Sequence, residues 1–268
     1  MPILHADRAD TFYREWGQGP AAVLLLHAGA SSSVQWERLG AALAAAGPRV
    51  VAPDLYGHGR TPCPADMTPE TLLERQVAVL RTLLHALGAP VRLIGHSYGA
   101  VLGLRLALDH PELVRDLVLI EPVAFGLLDA DDPALAPIEA IEADCRARVL
   151  AGDADGATRR FLEFWSLPDL WDFLPEAEQA AIVAGARERH FIGGPAVFAA
   201  RFAPDALAAL DRPARLVTGD DGPAAPRIVA ERLAAALPDA ERITISGAGH
   251  MLPLTHHRTF LRLLSGLP

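Results

Sequence analysis

The sequence predicts an α/β fold with a doubly wound, mostly parallel sheet and a helical insertion after the strand that ends at Glu121. Apolar runs of strand type alternate with segments of helical periodicity along most of the 268 residues, as expected for parallel strands joined by crossover helices. In residues 123–204 the strand signals disappear, and aromatic residues fall within helical patches. We therefore expect a core of residues 1–122 and 205–268 and a helical insertion of residues 123–204.

The first half of the chain contains three strand-like runs and two helix-like segments, bounded by turn residues. Strands are predicted at residues 11–16, 21–26 and 49–52, and helices at about 35–46 and 68–87. Gly47-Pro48 ends the first of these helices. Thr68-Pro69 starts the second, because threonine caps a helix and proline suits the first helical position.

The second half repeats this alternation on both sides of the insertion. Strands are predicted at residues 90–94, 115–120, 213–219 and 240–246, and helices at 98–109, about 225–237 and 255–264. In a sheet of this kind, ligands bind at the carboxyl ends of the strands. The loops that follow the strands are therefore the places where functional residues are expected.

Composition argues against several classes of function. The chain has 33 acidic and 24 basic residues and a net charge of -9, with no lysine- or arginine-rich block, so we expect no nucleic-acid partner. No apolar run reaches membrane-spanning length, and the amino terminus lacks the basic start and apolar core of a signal peptide. We therefore expect a cytoplasmic protein without a membrane partner. Cys63 and Cys145 are expected to be free thiols.

A Gly-x-Ser-x-Gly motif, Gly95-His96-Ser97-Tyr98-Gly99, lies between an apolar strand and a helix. This order places the serine on a tight strand-to-helix turn, where side chains at the two glycine positions would collide with neighbouring backbone. Such a turn holds the Ser97 hydroxyl clear of the sheet. The backbone N–H of Tyr98, at the helix start, points to where an oxyanion would form. Ser97 is therefore the candidate nucleophile.

Three further motifs in a consistent order give the chain a resemblance to the α/β-hydrolase superfamily over essentially its whole length. They are His27-Ala28-Gly29 after an early strand, Asp54-Leu55-Tyr56-Gly57-His58-Gly59 after the next, and Gly247-Ala248-Gly249-His250 near the end. The resemblance implies that His250 is the general base and that residues 123–204 form a cap over the active site. It also implies an oxyanion hole formed by the backbone N–H groups of Tyr98 and Gly29, with Ala28 as the neighbouring alternative to Gly29.

The acid of such a triad has two candidates in this sequence. Members of the superfamily most often carry an aspartate at the position of Gly222. In this sequence Asp220 and Asp221 are close to that position but do not occupy it. Others take the acid from the end of the strand after the nucleophile, which here is Glu121. We favour Glu121, because a carboxylate that ends an apolar strand is partly buried and a histidine partner would offset that cost. Asp221 stays the alternative acid, although Asp-Asp-Gly is also ordinary turn chemistry.

These residues predict a serine hydrolase that cleaves a small to medium, largely apolar carboxylic ester, thioester or lactone through an acyl-enzyme on Ser97. The aromatic residues of the insertion motivate the apolar substrate. Two alternatives stay open: carbon–carbon bond hydrolysis or cofactor-free peroxidase chemistry on the same fold, and a ligand-binding or sensor protein with little turnover. We expect a small-molecule substrate and no cofactor. A metal site is not expected, because the adjacent His256 and His257 lack ligand spacing. The oligomeric state is left open.

Overall fold

The computed structural model describes residues 2–6, 9–20, 22–88, 90–166 and 170–265. Its sheet contains the strands β1 (Ile3–Ala6), β2 (Ala9–Trp16), β3 (Ala22–Leu26), β4 (Arg49–Pro53), β5 (Val91–His96), β6 (Val114–Ile120), β7 (Ala214–Gly219) and β8 (Ala240–Ile245). Their order in the sheet is β1-β2-β4-β3-β5-β6-β7-β8. Strands β3 to β8 are parallel, whereas β2 pairs antiparallel with both β1 and β4. The predicted fold class is confirmed.

Helices cover both faces of the sheet and form the insertion. The α-helices are α1 (Glu37–Ala44), α2 (Pro69–Leu87), α3 (Tyr98–Asp109), α4 (Ala136–Leu150), α5 (Ala154–Trp165), α6 (Leu170–Phe173), α7 (Glu176–Ala184), α8 (Ala186–Glu188), α9 (Gly194–Ala199), α10 (Pro204–Ala208), α11 (Ala224–Ala236), α12 (Leu252–Thr255) and α13 (His257–Ser265). Shorter 3₁₀ turns lie at Ser33–Trp36, Pro111–Leu113 and Phe125–Leu127, and a π-helical turn at Arg189–Gly193. Among the described residues, no helix is both long and apolar enough to cross a membrane.

The central strands are apolar without alternation because both faces of the sheet are buried. Leu25 of β3 belongs to the apolar cluster that contains Phe260 of α13. Leu24, the preceding residue of β3, belongs to the apolar cluster on the other face of the sheet, which contains Leu102 of α3. All four side chains are fully buried. This two-sided packing holds the strand ends, and therefore the loops that follow them, in fixed positions.

The structure differs from the sequence-based elements mainly near the amino terminus. The sequence pattern does not predict β1, because it is an edge strand that pairs only with β2, and its Ile3 and His5 are exposed. The predicted helix of residues 35–46 starts earlier, as a 3₁₀ turn whose cap Ser32 accepts a hydrogen bond from the Val34 N–H, and continues as α1. The predicted strand of residues 21–26 is observed from Ala22. Ala21 lies outside the described residues.

The predicted start of α2 is confirmed, and the predicted last helix is divided in two. Pro69 is the first residue of α2, and the Thr68 N–H donates to Thr71 Oγ1 at 3.2 Å. The helix expected at residues 255–264 is instead α12 followed by α13, with a break at His256. Leu252 and Phe260, on the two sides of this break, are both fully buried in one apolar cluster.

Helices α4 to α9 lie between β6 and β7, within residues 123–204, and we call these residues the cap. Its contacts place it against the sheet: Trp165 and Val197 share one apolar cluster with Leu26 and Leu119 of the sheet. Residues 167–169 of this segment lie outside the described residues. The cap therefore packs onto the core, next to the strand ends.

Candidate active site

Ser97 lies on a sharp turn between β5 and α3. Its backbone has φ 54° and ψ −113°, a conformation that non-glycine residues rarely adopt. A Cβ atom at Gly95 would lie 2.4 Å from the Gly99 carbonyl oxygen, and one at Gly99 would lie 2.3 Å from the Leu26 carbonyl oxygen. Both positions therefore require glycine, as the motif indicates. The turn presents the Ser97 side chain at the carboxyl end of the sheet.

The side chains of Ser97, His250 and Glu121 form one chain of hydrogen bonds. His250 Nε2 lies 2.9 Å from Ser97 Oγ, and His250 Nδ1 lies 3.1 Å from Glu121 Oε2. Because a carboxylate only accepts, the Nδ1–H of His250 donates to Glu121, and Nε2 is left to accept from the serine hydroxyl. All three residues are buried. This arrangement suits the removal of a proton from Ser97 as it attacks an electrophile.

The structure brings Glu121, and not Asp221, into contact with His250. Glu121 Oε1 also accepts a hydrogen bond of 2.7 Å from the Gly219 N–H, so both carboxylate oxygens are fixed. Asp221 is exposed, and in the described part of the chain its side chain makes no hydrogen bond. Asp220 instead binds the loop after β8, where its carboxylate accepts hydrogen bonds from the Gly247 N–H and the Ser246 hydroxyl. The Asp-Asp-Gly segment thus forms a bend after β7.

Two backbone N–H groups next to Ser97 have no acceptor among the described residues. One is that of Tyr98, the first residue of α3, and the other is that of Gly29, which lines the pocket beside Ser97. The Ala28 N–H, the alternative considered from the sequence, donates to Gln35 Oε1 at 3.1 Å and is not available. The structure therefore favours Gly29 and Tyr98 as the pair that faces an oxyanion.

Gln35 and His96 connect the loop of Ala28 and Gly29, which we call the oxyanion loop, to the loop that carries His250. Gln35 Nε2 donates to His96 Nδ1 at 3.1 Å, while Gln35 Oε1 accepts from the Ala28 N–H. His96 Nε2 then donates to the His250 carbonyl oxygen at 2.8 Å. His96 is fully buried, so these bonds satisfy groups that water does not reach. The network fixes the backbone on both sides of Ser97.

Trp165, the last residue of α5 in the cap, contacts the ring of His250. The two ring centroids are 4.5 Å apart, and the His96 ring lies 5.2 Å from His250 on another side. Trp165 is therefore placed to hold the His250 ring in position.

The pocket beside Ser97 has two lobes, which share the wall formed by Gly29, His58, Ser97, Phe161, Trp165 and Arg189. The outer lobe is also lined by His250, Met251 and Leu254, and Leu254 is exposed. The inner lobe lies between core and cap, and its additional lining is mostly apolar: Tyr56, Cys63, Leu72, Tyr98, Val123, Phe125, Ile138, Glu142, Glu188, Ile192, Gly193, Gly194, Val197 and Phe198. Of the cap aromatics noted in the sequence, four line this pocket, whereas Phe173 is exposed.

Three histidines, the fully buried His27 and His96 and the half-buried His58, support the loops of the site. Burial lowers the pKa of His58 to about 3, and it lowers the pKa values of His27 and His96 below the ordinary value as well. His27 Nδ1 donates to the Ala28 carbonyl oxygen, and its Nε2 accepts from the Leu55 N–H at 3.0 Å. His58 Nδ1 donates to the Tyr56 carbonyl oxygen at 2.9 Å. These rings are held neutral and act as structural hydrogen-bonding groups.

Acidification is expected to destabilise the protein through these histidines. A histidine whose pKa is lowered by folding contributes stability above its unfolded pKa, and this stability is lost as the pH falls towards the folded pKa. For His58 alone the loss between pH 7 and pH 5 is about 2 kcal/mol. Urea unfolding at both pH values measures it. His58→Asn, which keeps an N–H near the position of Nδ1, should show a smaller loss than the wild type; an equal loss in both proteins would contradict the prediction.

Comparison with known proteins defines the class of this protein. A family model described as the alpha/beta hydrolase fold matches residues 21–257. The chain therefore belongs to the α/β-hydrolase family, and it is an enzyme of the hydrolase class, as are the relatives it matches.

Individual relatives differ in how much of the chain they match. "Putative carbamate hydrolase RutD" of Azorhizobium caulinodans is 27% identical over 276 residues, covering 99% of this chain and 97% of RutD. Lipase LipV of Mycobacterium tuberculosis is 38% identical over 105 residues, and the match spans only 39% of this chain and 38% of LipV. The structure of MGS-M2, an alpha/beta hydrolase from a Medee basin deep-sea metagenome library, has a TM-score of 0.79 at 19% identity, covering 99% of this chain and 96% of MGS-M2. That likeness shows the shared fold.

Three residues of the site are absent from the sequence-based candidates. Gln35 carries no local signal, because a glutamine near a helix start is common and its two partners are distant in sequence. Trp165 is one of several cap aromatics, and nothing local distinguishes it from those that only pack. Arg189 is one of many arginines, and only the structure shows that it lines both lobes of the pocket.

Proposed function

We propose that the protein is a serine hydrolase that cleaves a small to medium, largely apolar carboxylic ester, thioester or lactone through an acyl-enzyme on Ser97. The observation that carries the proposal is the continuous hydrogen-bond chain from Ser97 through His250 to Glu121, located beside a pocket with an apolar inner lobe. In this assignment Ser97 is the nucleophile, His250 the general base and Glu121 the acid.

In the first half of the reaction, Ser97 Oγ attacks the acyl carbon while its proton passes to His250 Nε2. The carbonyl oxygen becomes negatively charged, and the N–H groups of Gly29 and Tyr98 donate to it. Glu121 stabilises the imidazolium through the Nδ1–H, and Trp165 contacts the same ring. The tetrahedral intermediate then breaks its bond to the leaving group, which takes the proton from His250.

In the second half, water replaces the leaving group beside His250. His250 takes a proton from the water as its oxygen attacks the acyl-enzyme, and the same two N–H groups stabilise the second oxyanion. Collapse of this intermediate releases the carboxylic acid and returns the proton to Ser97. The net reaction consumes one water and needs no redox partner.

The proposal is tested with p-nitrophenyl esters of graded acyl length, from acetate to palmitate, on the wild-type protein. We expect the highest kcat/KM for short to medium chains, because the inner lobe is lined by bulky residues such as Phe125 and Phe198, whose ring centroids are 5.2 Å apart. A fluorophosphonate probe should add covalently to the peptide that contains Ser97. Absence of both ester hydrolysis and labelling would contradict the proposal and favour a binding or sensor protein.

A further inference from the structure

Arg189 is a buried cation in the wall of the pocket. It is 6% exposed, starts the π-helical turn of the cap and lines both lobes together with Ser97. Two of its five N–H groups donate, one to the Ile182 carbonyl oxygen at 3.1 Å and one to Thr158 Oγ1 at 3.0 Å. Its Nε is buried without a hydrogen-bond partner. Donor capacity of the guanidinium therefore remains unused.

No carboxylate of the described residues forms an ion pair with this guanidinium. Glu142, a buried acid that lines the same lobe, uses its Oε2 to accept from His190 Nδ1 at 3.0 Å. Burial lowers the pKa of Arg189 to about 10, with Glu142 and Glu188 acting in the opposite direction, so the side chain is charged at neutral pH. A buried charge without a direct partner is costly. An anion bound in the pocket would offset this cost.

Two other unused donors line the same inner lobe. Tyr98 Oη and Trp165 Nε1 are buried, and neither has a hydrogen-bond partner within the described residues. Buried tyrosine and tryptophan usually satisfy these groups. Besides the carboxylates of Glu142, which is bound to His190, and Glu188, the inner lobe combines a cation and two neutral donors with a mostly apolar wall. The cation and the two donors fit a ligand that has an apolar body and an anionic, hydrogen-bond-accepting end.

The position of His250 indicates which part of a substrate enters the inner lobe. His250 lines the outer lobe and not the inner one. Because the leaving group takes its proton from His250, it has to lie in the outer lobe. The acyl part, on the other side of Ser97, then occupies the inner lobe.

Building on the proposed serine hydrolase, we propose that the acyl group carries a carboxylate at the end of an apolar chain and that Arg189 binds this carboxylate. The substrate class is then a monoester, monothioester or related acyl derivative of a dicarboxylic acid. Arg189 acts as a specificity-determining residue, and Tyr98 Oη and Trp165 Nε1 are further donors to the carboxylate. The reaction at the other end of the chain is the hydrolysis described above.

The test compares p-nitrophenyl monoesters of adipic, pimelic and suberic acids with the p-nitrophenyl methyl diesters of the same acids. The two members of each pair have almost the same length and differ in the charge at the far end. For at least one chain length we expect wild-type kcat/KM to be about 10- to 100-fold higher for the monoester, the usual gain from charge-assisted hydrogen bonds. Arg189→Gln should lower kcat/KM for the monoester much more than for the diester and so remove this preference. Arg189→Lys should keep part of it.

Thr158→Val is the control for a purely structural role of Arg189, because it removes one hydrogen bond to the guanidinium and keeps the charge. It should lower both rates together, if at all, and leave their ratio unchanged. Equal wild-type rates for both members of every pair would overturn the inference while leaving the proposed hydrolase in place. The wild-type ratio alone decides this, even if Arg189→Gln does not fold.

Binding supplies a readout that does not depend on turnover. By titration calorimetry on Ser97→Ala, the dicarboxylate products should bind more tightly than the monocarboxylates of equal length, and the additional Arg189→Gln change should abolish the difference. If no ester is hydrolysed, the proposed function fails, and this binding difference still decides whether Arg189 selects an anionic end. Equal binding of both acids would overturn the inference.

Discussion

Replacing Ser97 with alanine is expected to lower kcat/KM for p-nitrophenyl butyrate by about 10⁴-fold or more. The reason is that Ser97 Oγ is the atom hydrogen-bonded to His250 Nε2, and no other described hydroxyl takes that position. The fold should persist, because among the described residues Oγ forms a hydrogen bond only with His250. Steady-state kinetics measure the loss, and circular dichroism checks the fold.

Ser31→Ala is the matched control for this change. Ser31 lies in the loop after β3, lines the outer lobe and is two residues from Gly29. Among the described residues, the side-chain hydrogen bonds of His250 go to Ser97 and Glu121 and not to Ser31, so the loss of the Ser31 hydroxyl should leave kcat/KM close to that of the wild type. Comparable hydrolysis by Ser97→Ala and the wild type would show that another group, or none, carries the nucleophilic step.

The nucleophile turn could be predicted because all of its determinants are adjacent in sequence. The strand, the two glycines, Ser97 and the helix follow one another, and each acts on its immediate neighbours. The close approach of Gly99 to the Leu26 carbonyl oxygen is a tertiary contact. The sequence still indicates it, because the contact requires a glycine and that glycine is part of the motif. The parallel sheet could be predicted for a similar reason, since its buried strands are continuous apolar runs.

The polar network around this turn could not be predicted in the same way. Gln35 and His96 are 61 residues apart, and His96 and the His250 carbonyl oxygen are 154 residues apart. A hydrogen bond between such residues depends on how the sheet orders its strands, which no local pattern specifies. The edge strand β1 is a comparable case, because its pairing with β2 carries little apolar signal.

Backbone strain is a second feature that only the structure shows. Among the described residues, the non-glycine positions with positive φ are Ala30, Ser97 and Glu121. Such conformations cost energy and persist where the surroundings enforce them, often at functional sites. Ala30 follows the oxyanion loop, and the other two are members of the hydrogen-bonded triad. The strain is therefore concentrated at the site.

The choice between Glu121 and Asp221 stayed open in the sequence because their strands are neighbours. Glu121 follows β6 and Asp221 follows β7, and these strands pair in parallel, so both residues leave the same edge of the sheet. Proximity to His250 is therefore expected of both. Side-chain direction decides between them: Glu121 has a φ of 47° and is buried against His250, whereas Asp221 is exposed.

Glu121→Gln is expected to lower kcat by about 10³- to 10⁴-fold with little change in KM. Glutamine can still accept the hydrogen bond from the Gly219 N–H through its carbonyl oxygen. Its amide nitrogen, however, then faces His250 Nδ1 as a donor. His250 can satisfy that donor only by moving its own proton to Nε2, where it points at Ser97 Oγ. The base then has no lone pair for the serine proton, so the chemical step fails while the pocket keeps its shape.

Asp221→Asn is the matched control, since it makes the same chemical change on the neighbouring strand end. Because the Asp221 side chain is exposed and makes no hydrogen bond in the described part of the chain, its kcat should stay close to that of the wild type. The tautomer argument also predicts that Glu121→Gln keeps most of its thermal stability, because the loss arises from the position of one proton. If Asp221→Asn loses activity and Glu121→Gln keeps it, the acid is Asp221, and the contact between Glu121 and His250 serves only to hold the loop.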